Sequence, residues 1–232
     1  MELMGKFFIH GDIKTITGLH IGGQKETLDI GGVDNPIIRD GKGRIYIPGS
    51  SLKGKIRCLL ERKYSTKKTK KEGDPCGCGE CPICKIFGPH SDDVKEPSRI
   101  IIRDSYLLDD AKTTEIKSEN IIDRISGKAL HPRDTERVPT DSRFKFEVIF
   151  NIYDENADIE LIKKFIEGME LLEDDYLGGS GSRGYGKIKF EDISLSYKKK
   201  EYYEGDETKK MNIPDIKGIK ELREKLNELK FS

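Results

Sequence analysis

The chain has no tryptophan, no net charge and no apolar run approaching the roughly 20 residues that a membrane helix needs. The missing apolar run excludes a spanning helix, and the apolar stretch within Met1–His10 is too short for a signal peptide. The balance of 42 Lys and Arg against 42 Asp and Glu leaves the global field silent about nucleic acid, so only local clustering of charge is informative. Apolar residues make up 34% and charged residues 36% of the 232, so the core is modest and much of the charge belongs to surfaces or insertions. A cytoplasmic protein is expected, in which five cysteines read as thiols or metal ligands rather than disulfides.

Hydrophobic periodicity outlines the rest. Lys6–Thr17 alternates, with Phe7, Ile9, Gly11 and Ile13 on one side, and predicts a half-buried strand. Residues 18–49 are glycine-rich and cannot form a long regular element. Leu52, Ile56, Leu59 and Leu60 mark one helical face running to about Lys63, with a serine at the N-cap. Residues 64–98 and 111–142 are polar insertions, the second with Gly127 at a hairpin tip. Strands are predicted at Arg99–Leu108, at Phe144–Phe150 and at Tyr185–Tyr197, with a helix carrying Ile159, Ile162, Phe165, Ile166, Met169 and Leu172 before the last. The order strand–helix–strand–strand–helix–strand is that of an α+β, ferredoxin-like or RRM-type core. This gives one domain over 1–232, with its core at about 6–63, 99–110 and 143–197. A C-terminal helix is expected over 214–231, striped by Ile216, Ile219, Leu222, Leu226 and Leu229.

Cys76, Cys78, Cys81 and Cys84 form C-x-C-x2-C-x2-C, four soft ligands within nine residues, as a structural tetrahedral zinc site wants. The spacing is compressed, so His90 could replace one thiol; Cys58 belongs to the apolar stripe. Lys53–Lys71 holds nine Lys or Arg against the single acid Glu61. Lys53 and Arg57, one turn apart at a helix start, are expected to meet phosphate, whereas Lys67–Lys71 read as a solvated face. A second glycine cluster, Gly178–Lys187, has five glycines in ten residues and suits a phosphate cradle, but lacks the lysine–serine ending of a Walker loop.

Four blocks in order, Gly18-Leu19-His20-Ile21-Gly22-Gly23, Gly31-Gly32-Val33-Asp34-Asn35-Pro36, Ile47–Arg57 and Asp175–Lys187, resemble the signature blocks of the RAMP superfamily. Within it they are most similar to the backbone subunits of type III-A (Csm) CRISPR effector complexes, over about residues 6–197. The resemblance implies a zinc-bearing lid at 64–98, a thumb hairpin at 111–142, and copies of the chain stacked along CRISPR RNA beside other Csm subunits. It also implies metal-dependent cleavage of complementary single-stranded target RNA, with Asp34 as the catalytic residue and Mg²⁺ or Mn²⁺ as its cofactor. Asp29 and Asp40 share the loop and can assist. RNA contacts are expected from His20, Ser50, Ser51, Lys53, Arg57, Gly181, Arg183, Gly184, Arg124 and Arg137, while Glu119, Arg133 and Glu136 mix signs on the thumb. Without the resemblance, Asp34 would read as an Asx-turn residue. A scaffold with an inert Asp34, or a metal-independent nuclease working through His20, would carry the same blocks.

Overall fold

The alternation of the first segment is realised as a strand whose odd residues face helices. Phe7, Ile9 and Ile13 are buried in β1 (Gly5–Thr15), while Lys6, Phe8 and His10 on the other face are half-exposed. The computed structural model describes residues 2–23, 33–64, 73–94, 96–108 and 114–228. After β1 come β2 (Tyr46–Ile47), α1 (Gly49–Tyr64), α2 (Pro82–Phe87), β3 (Ile100–Ile102), β4 (Ser105–Tyr106), β5 (Glu115–Ile122) and β6 (Ala129–Arg137). The remainder is β7 (Arg143–Ile152), α3 (Glu155–Asp174), β8 (Ile188–Lys199), α4 (Lys200–Tyr203), β9 (Lys210–Gly218) and α5 (Ile219–Glu228). It is a mixed α+β chain around a five-stranded sheet of order β3-β7-β1-β8-β9, each neighbouring pair antiparallel.

Leu52, Ile56 and Leu60 recur every fourth residue of α1 and are buried against α3, whose own face carries Ile162, Phe165, Ile166, Met169 and Leu172. The two helices meet at Gly168, where a Cβ would come within 2.6 Å of Ile56 Cγ2. Phe165 packs edge-on to Phe150 of β7 with centroids 5.4 Å apart, joining helix layer to sheet. Asp154 caps α3 through the amides of Asn156 and Ala157.

Several expected boundaries move. Helix α1 starts at Gly49, so Ser50 and Ser51 lie inside its first turn rather than capping it; the Gly49 amide is held by Asp104 Oδ1 at 2.8 Å. The strand expected over Arg99–Leu108 is broken: β3 pairs with β7, and β4 pairs with β2. The last core strand begins at Ile188, and Tyr185 is a buried loop residue.

The largest correction concerns the C-terminal helix expected over 214–231. Residues 210–218 instead form the edge strand β9, and among the described residues the helix spans Ile219–Glu228. The stripe from Ile216 fits helical spacing, but the hydrogen-bonding edge of β8 offers the backbone a partner that local propensity does not register. Pro214 is tolerated because β9 is the edge. Ile216, Ile219, Leu222 and Leu226 are all buried on this chain's own core, and Arg223 reaches Glu170 of α3; Leu229 lies outside the described residues. Leu222→Ala should therefore lower unfolding free energy by about 2–5 kcal/mol in urea titrations. A loss below about 1 kcal/mol would mean that α5 contributes no core packing.

Candidate functional site

Two segments of the glycine-rich region converge on the end of β6. Leu19 bridges Val138, with both amide–carbonyl bonds formed at 2.8–2.9 Å. Ile21 and Gly23 exchange bonds with Ile38 and Pro36, which folds 19–23 against 36–38. Asn35 runs parallel to Thr135, accepting from the Glu136 amide at 3.0 Å and donating to the Asp134 carbonyl at 3.3 Å.

This pairing presents two groups together. Asp34 is exposed and accepts a 3.2 Å hydrogen bond from the Asp134 amide. His20 Nδ1 lies 2.7 Å from the Glu136 carbonyl, which can only accept, so Nδ1 carries the proton and the neutral ring keeps its lone pair on Nε2. The two anchor points are two residues apart on one strand, about 7 Å along it. Asp34 is thus no Asx-turn residue. That role belongs to Asp40, whose carboxylate takes the Lys42 and Arg44 amides at 2.9 Å and the Arg44 guanidinium at 2.7 Å. Hydrogen bonds from Arg44 hold Asp40 below its ordinary pKa. Asp29 lies outside the described residues. Asp134, which no sequence pattern marks, is brought beside Asp34 only by the strand pairing.

Glu136, one of the mixed-sign residues of the second insertion, is buried. Its carboxylate accepts from the Ile37 amide at 3.0 Å, Arg39 Nη2 at 2.7 Å and the Thr114 hydroxyl at 2.7 Å. Burial alone would raise its pKa, but these donors outweigh it and hold the group below the ordinary glutamate value.

The second glycine cluster packs against the same region. Gly178 has a positive φ of 79° and sits where a Cβ would strike the His20 carbonyl. The Gly179 amide donates to that carbonyl at 2.9 Å and the Gly186 amide to Gly18 at 3.0 Å, while the amides of Arg183 and Gly184 close a turn over Gly181–Arg183. These four amides are therefore bonded within the chain. Arg183 projects into solvent and pairs with Glu119 of β5 at 3.0 Å. Arg137 pairs with Glu115 at 2.6 Å and lies over the Tyr185 ring, so it braces the hairpin base. Arg124 is exposed in the β5–β6 turn beside Gly127, the expected tip.

On α1, Lys53 and Arg57 part company. Arg57 gives its guanidinium to Glu61 at 2.8 Å, the Gly88 carbonyl at 3.0 Å and the Cys76 carbonyl at 2.7 Å. It clamps the cysteine loop to the helix. Lys53 pairs with no carboxylate among the described residues; burial, and then the Arg57 charge, pull its ammonium below the ordinary value. Ser50 is exposed and Ser51 half-buried beside it.

The four clustered thiols come together as a group that can hold a metal ion, with all sulfurs within 4.8 Å of one another. Cys76–Cys81 and Cys78–Cys84 stand at 4.0 and 3.8 Å, close to the edge of about 3.8 Å of a tetrahedron with 2.3 Å metal–sulfur bonds. The amides of Cys81 and Cys84 point at the sulfurs of Cys78 and Cys81, as thiolate ligands require. Burial pushes Cys84 and Cys81 up, whereas at Cys78 the Cys81 and Glu80 amides overcome burial and lower it to about 7. His90 is exposed and stands outside the group; its amide closes the loop on the Cys76 carbonyl. Four cysteines suffice without it.

The RAMP superfamily matches residues 12–189, and the chain belongs to that superfamily. It is 58% identical over 239 residues to the CRISPR system Cms endoribonuclease Csm3 of Methanocaldococcus jannaschii, covering 99% of this chain and 96% of the relative. A protein of the same name from Streptococcus thermophilus is 43% identical over 202 residues, covering 82% and 90%. Among solved structures, a chain of the Csm3–Csm4 subcomplex in the type III-A CRISPR-Cas interference complex matches with a TM-score of 0.73 at 49% identity, over 100% of both chains. No helix among the described residues is long and apolar enough to cross a membrane.

Because the folded pKa of Glu136 is depressed, its stabilisation is present above the ordinary glutamate pKa and is lost as pH falls through the folded value. Glu136→Gln should melt below the wild type at pH 7, and the gap should narrow on acidification. A gap that is constant with pH would mean that the carboxylate charge contributes nothing.

Proposed function

We propose that the chain is an RNA-binding backbone subunit of a type III-A CRISPR interference complex and the endoribonuclease that cuts complementary target RNA within it. The observation that carries this reading is Asp34, an exposed carboxylate pinned across to the thumb strand by the Asp134 amide instead of folded back into its own loop. Family membership and the shared name of its relatives supply the class of reaction. CRISPR RNA, target RNA, further copies of this chain and other Csm subunits are the partners, and the cytoplasm is the compartment, where thiols remain reduced.

Elements β1, α1, β3, β7, α3 and β8 read as a ferredoxin-like βαββαβ core, with sheet order 2-3-1-4 in that numbering and antiparallel neighbours throughout. Segment 64–98 is the lid and 111–142 the thumb, the latter built on the β5–β6 hairpin. Exposed Ile116, Ile121, Ile122 and Ile125 on that hairpin give a stacked neighbour an apolar surface to cover.

Zinc suits the four-thiol group by ligand type and spacing, and with no open position its role is structural. Mg²⁺ or Mn²⁺ suits the hard oxygen donor of Asp34; when bound, it shields the charge that develops on the scissile phosphate. His20 keeps Nε2 free to bond or accept a proton from an RNA hydroxyl, because the Glu136 carbonyl fixes its tautomer. Lys53, half-buried without a counter-charge, is relieved by an RNA phosphate, and Ser50 and Ser51 lie beside it in the same helical turn. Arg183 and the Gly181–Gly184 turn give a second contact on the far side of His20, with Arg124 and Arg137 on the thumb.

In a reconstituted complex, Asp34→Ala and Asp34→Asn should lower target cleavage by about a hundredfold or more while leaving guide binding near wild type, and EDTA should stop the wild type. Cutting by Asp34→Ala at the wild-type rate and positions would remove the catalytic assignment. Metal analysis should return about one zinc per chain, a site worth on the order of 10 kcal/mol in small zinc folds. Its removal should raise hydrogen exchange in residues 73–94 and leave the sheet protected; well under half an equivalent of zinc in untreated protein would exclude the site.

A further inference from the structure

A cleft of about 270 Å³ opens between the β5–β6 hairpin and the glycine-loop turn, lined by Lys117, Glu119, Asn120, Ile121, Arg133 and Arg183. Three cations thus face one carboxylate. Glu119 and Arg133 are directly opposite in the hairpin register, yet Glu119 does not pair with Arg133. It reaches off the hairpin to Arg183 at 3.0 Å, with Lys117 at 3.6 Å, while Lys117 donates to the Arg183 carbonyl at 3.0 Å. Arg133 pairs with no carboxylate among the described residues. The buried Tyr185 hydroxyl lies against Glu119, with Lys117 Nζ 4.4 Å from the centre of its ring. The cleft therefore holds an excess of cationic donors over one internal anion, borrowed from the hairpin.

We infer that this cleft seats an internucleotide phosphate of single-stranded RNA and that Glu119 occupies the seat as an intramolecular stand-in until RNA displaces it. The inference rests on the RNA-binding reading above and deepens it. Arg183 is 56% exposed in this pair, so the Glu119–Arg183 bond is a weak one. A phosphate offers Arg183 bidentate, charge-assisted bonds and brings acceptor oxygens to Arg133. The carboxylate ties the hairpin to the glycine loop in the free chain, and RNA takes over that tie.

The test is fluorescence anisotropy of the full chain with a labelled single-stranded RNA of mixed sequence, across a salt series. Glu119→Gln should tighten binding several-fold, because the internal competitor is gone, and Arg183→Gln should weaken it. The double variant should bind like Arg183→Gln alone, because Glu119 competes through Arg183. Tightening that persists undiminished in the Arg183→Gln background would mean only a general loss of repulsion and would overturn the stand-in, as would Glu119→Gln binding no tighter than wild type. Arg133→Gln leaves the Glu119–Arg183 pair intact and provides a second route should melting curves find Glu119→Gln unfolded. It should shrink the salt slope by about 0.7, and an unchanged affinity and slope would overturn the seat. A wild-type chain that bound no RNA at low salt would instead sink the functional reading itself.

Discussion

The site depends on the pairing of two glycine-rich segments with the last residues of β6. Residues 134–138 supply backbone partners to Asp34, Asn35, His20 and Leu19 in turn, and the buried Glu136 carboxylate holds Ile37 and Arg39 from the other side. A glycine-rich segment loses much conformational entropy when ordered. Here it is ordered by strand-like bonds to a hairpin that begins nearly a hundred residues later. The placing of His20 and Asp34 follows from that pairing, since one backbone strand sets both the tautomer of the imidazole and the direction of the carboxylate.

A second constraint acts on the helix. Arg57, by bonding two carbonyls of the cysteine segment, ties that segment to α1. Four thiols within 4.8 Å would resist ionising together in a part-buried loop, and a bound dication removes that conflict. The thiol group and the helix that carries Lys53 therefore form one mechanical unit, and Lys53 itself donates to the Ser98 hydroxyl. The hairpin is held differently. Its base is braced by Arg137 and Glu115, while beyond them its faces are largely exposed. A rigid floor with a lightly tethered arm suits a protein that must grip a flexible polyanion along its length without reading its sequence.

Much of this was legible in the amino-acid order. Alternation at Phe7–Ile13 and Phe144–Phe150, the four-residue recurrence in α1 and the stripe of α3 are local patterns tied to the strand and helix periods, and they form the elements they predict. The cysteine spacing is local too, so the thiol group could be seen before its geometry. What tertiary structure decided was everything that depends on a distant partner. The tail became strand plus helix because the edge of β8 was open to it. Arg57 became a clamp because Gly88 and Cys76 carbonyls were in reach, and Glu136 became a buried anchor because Arg39 and the Ile37 amide surround it. Asp40 and Asp34 look alike along the chain and differ only in what their carboxylates meet. Sequence spacing encodes the period of an element and the chemistry of its side chains, but hydrogen bonds across a hundred residues are settled only when the chain closes on itself.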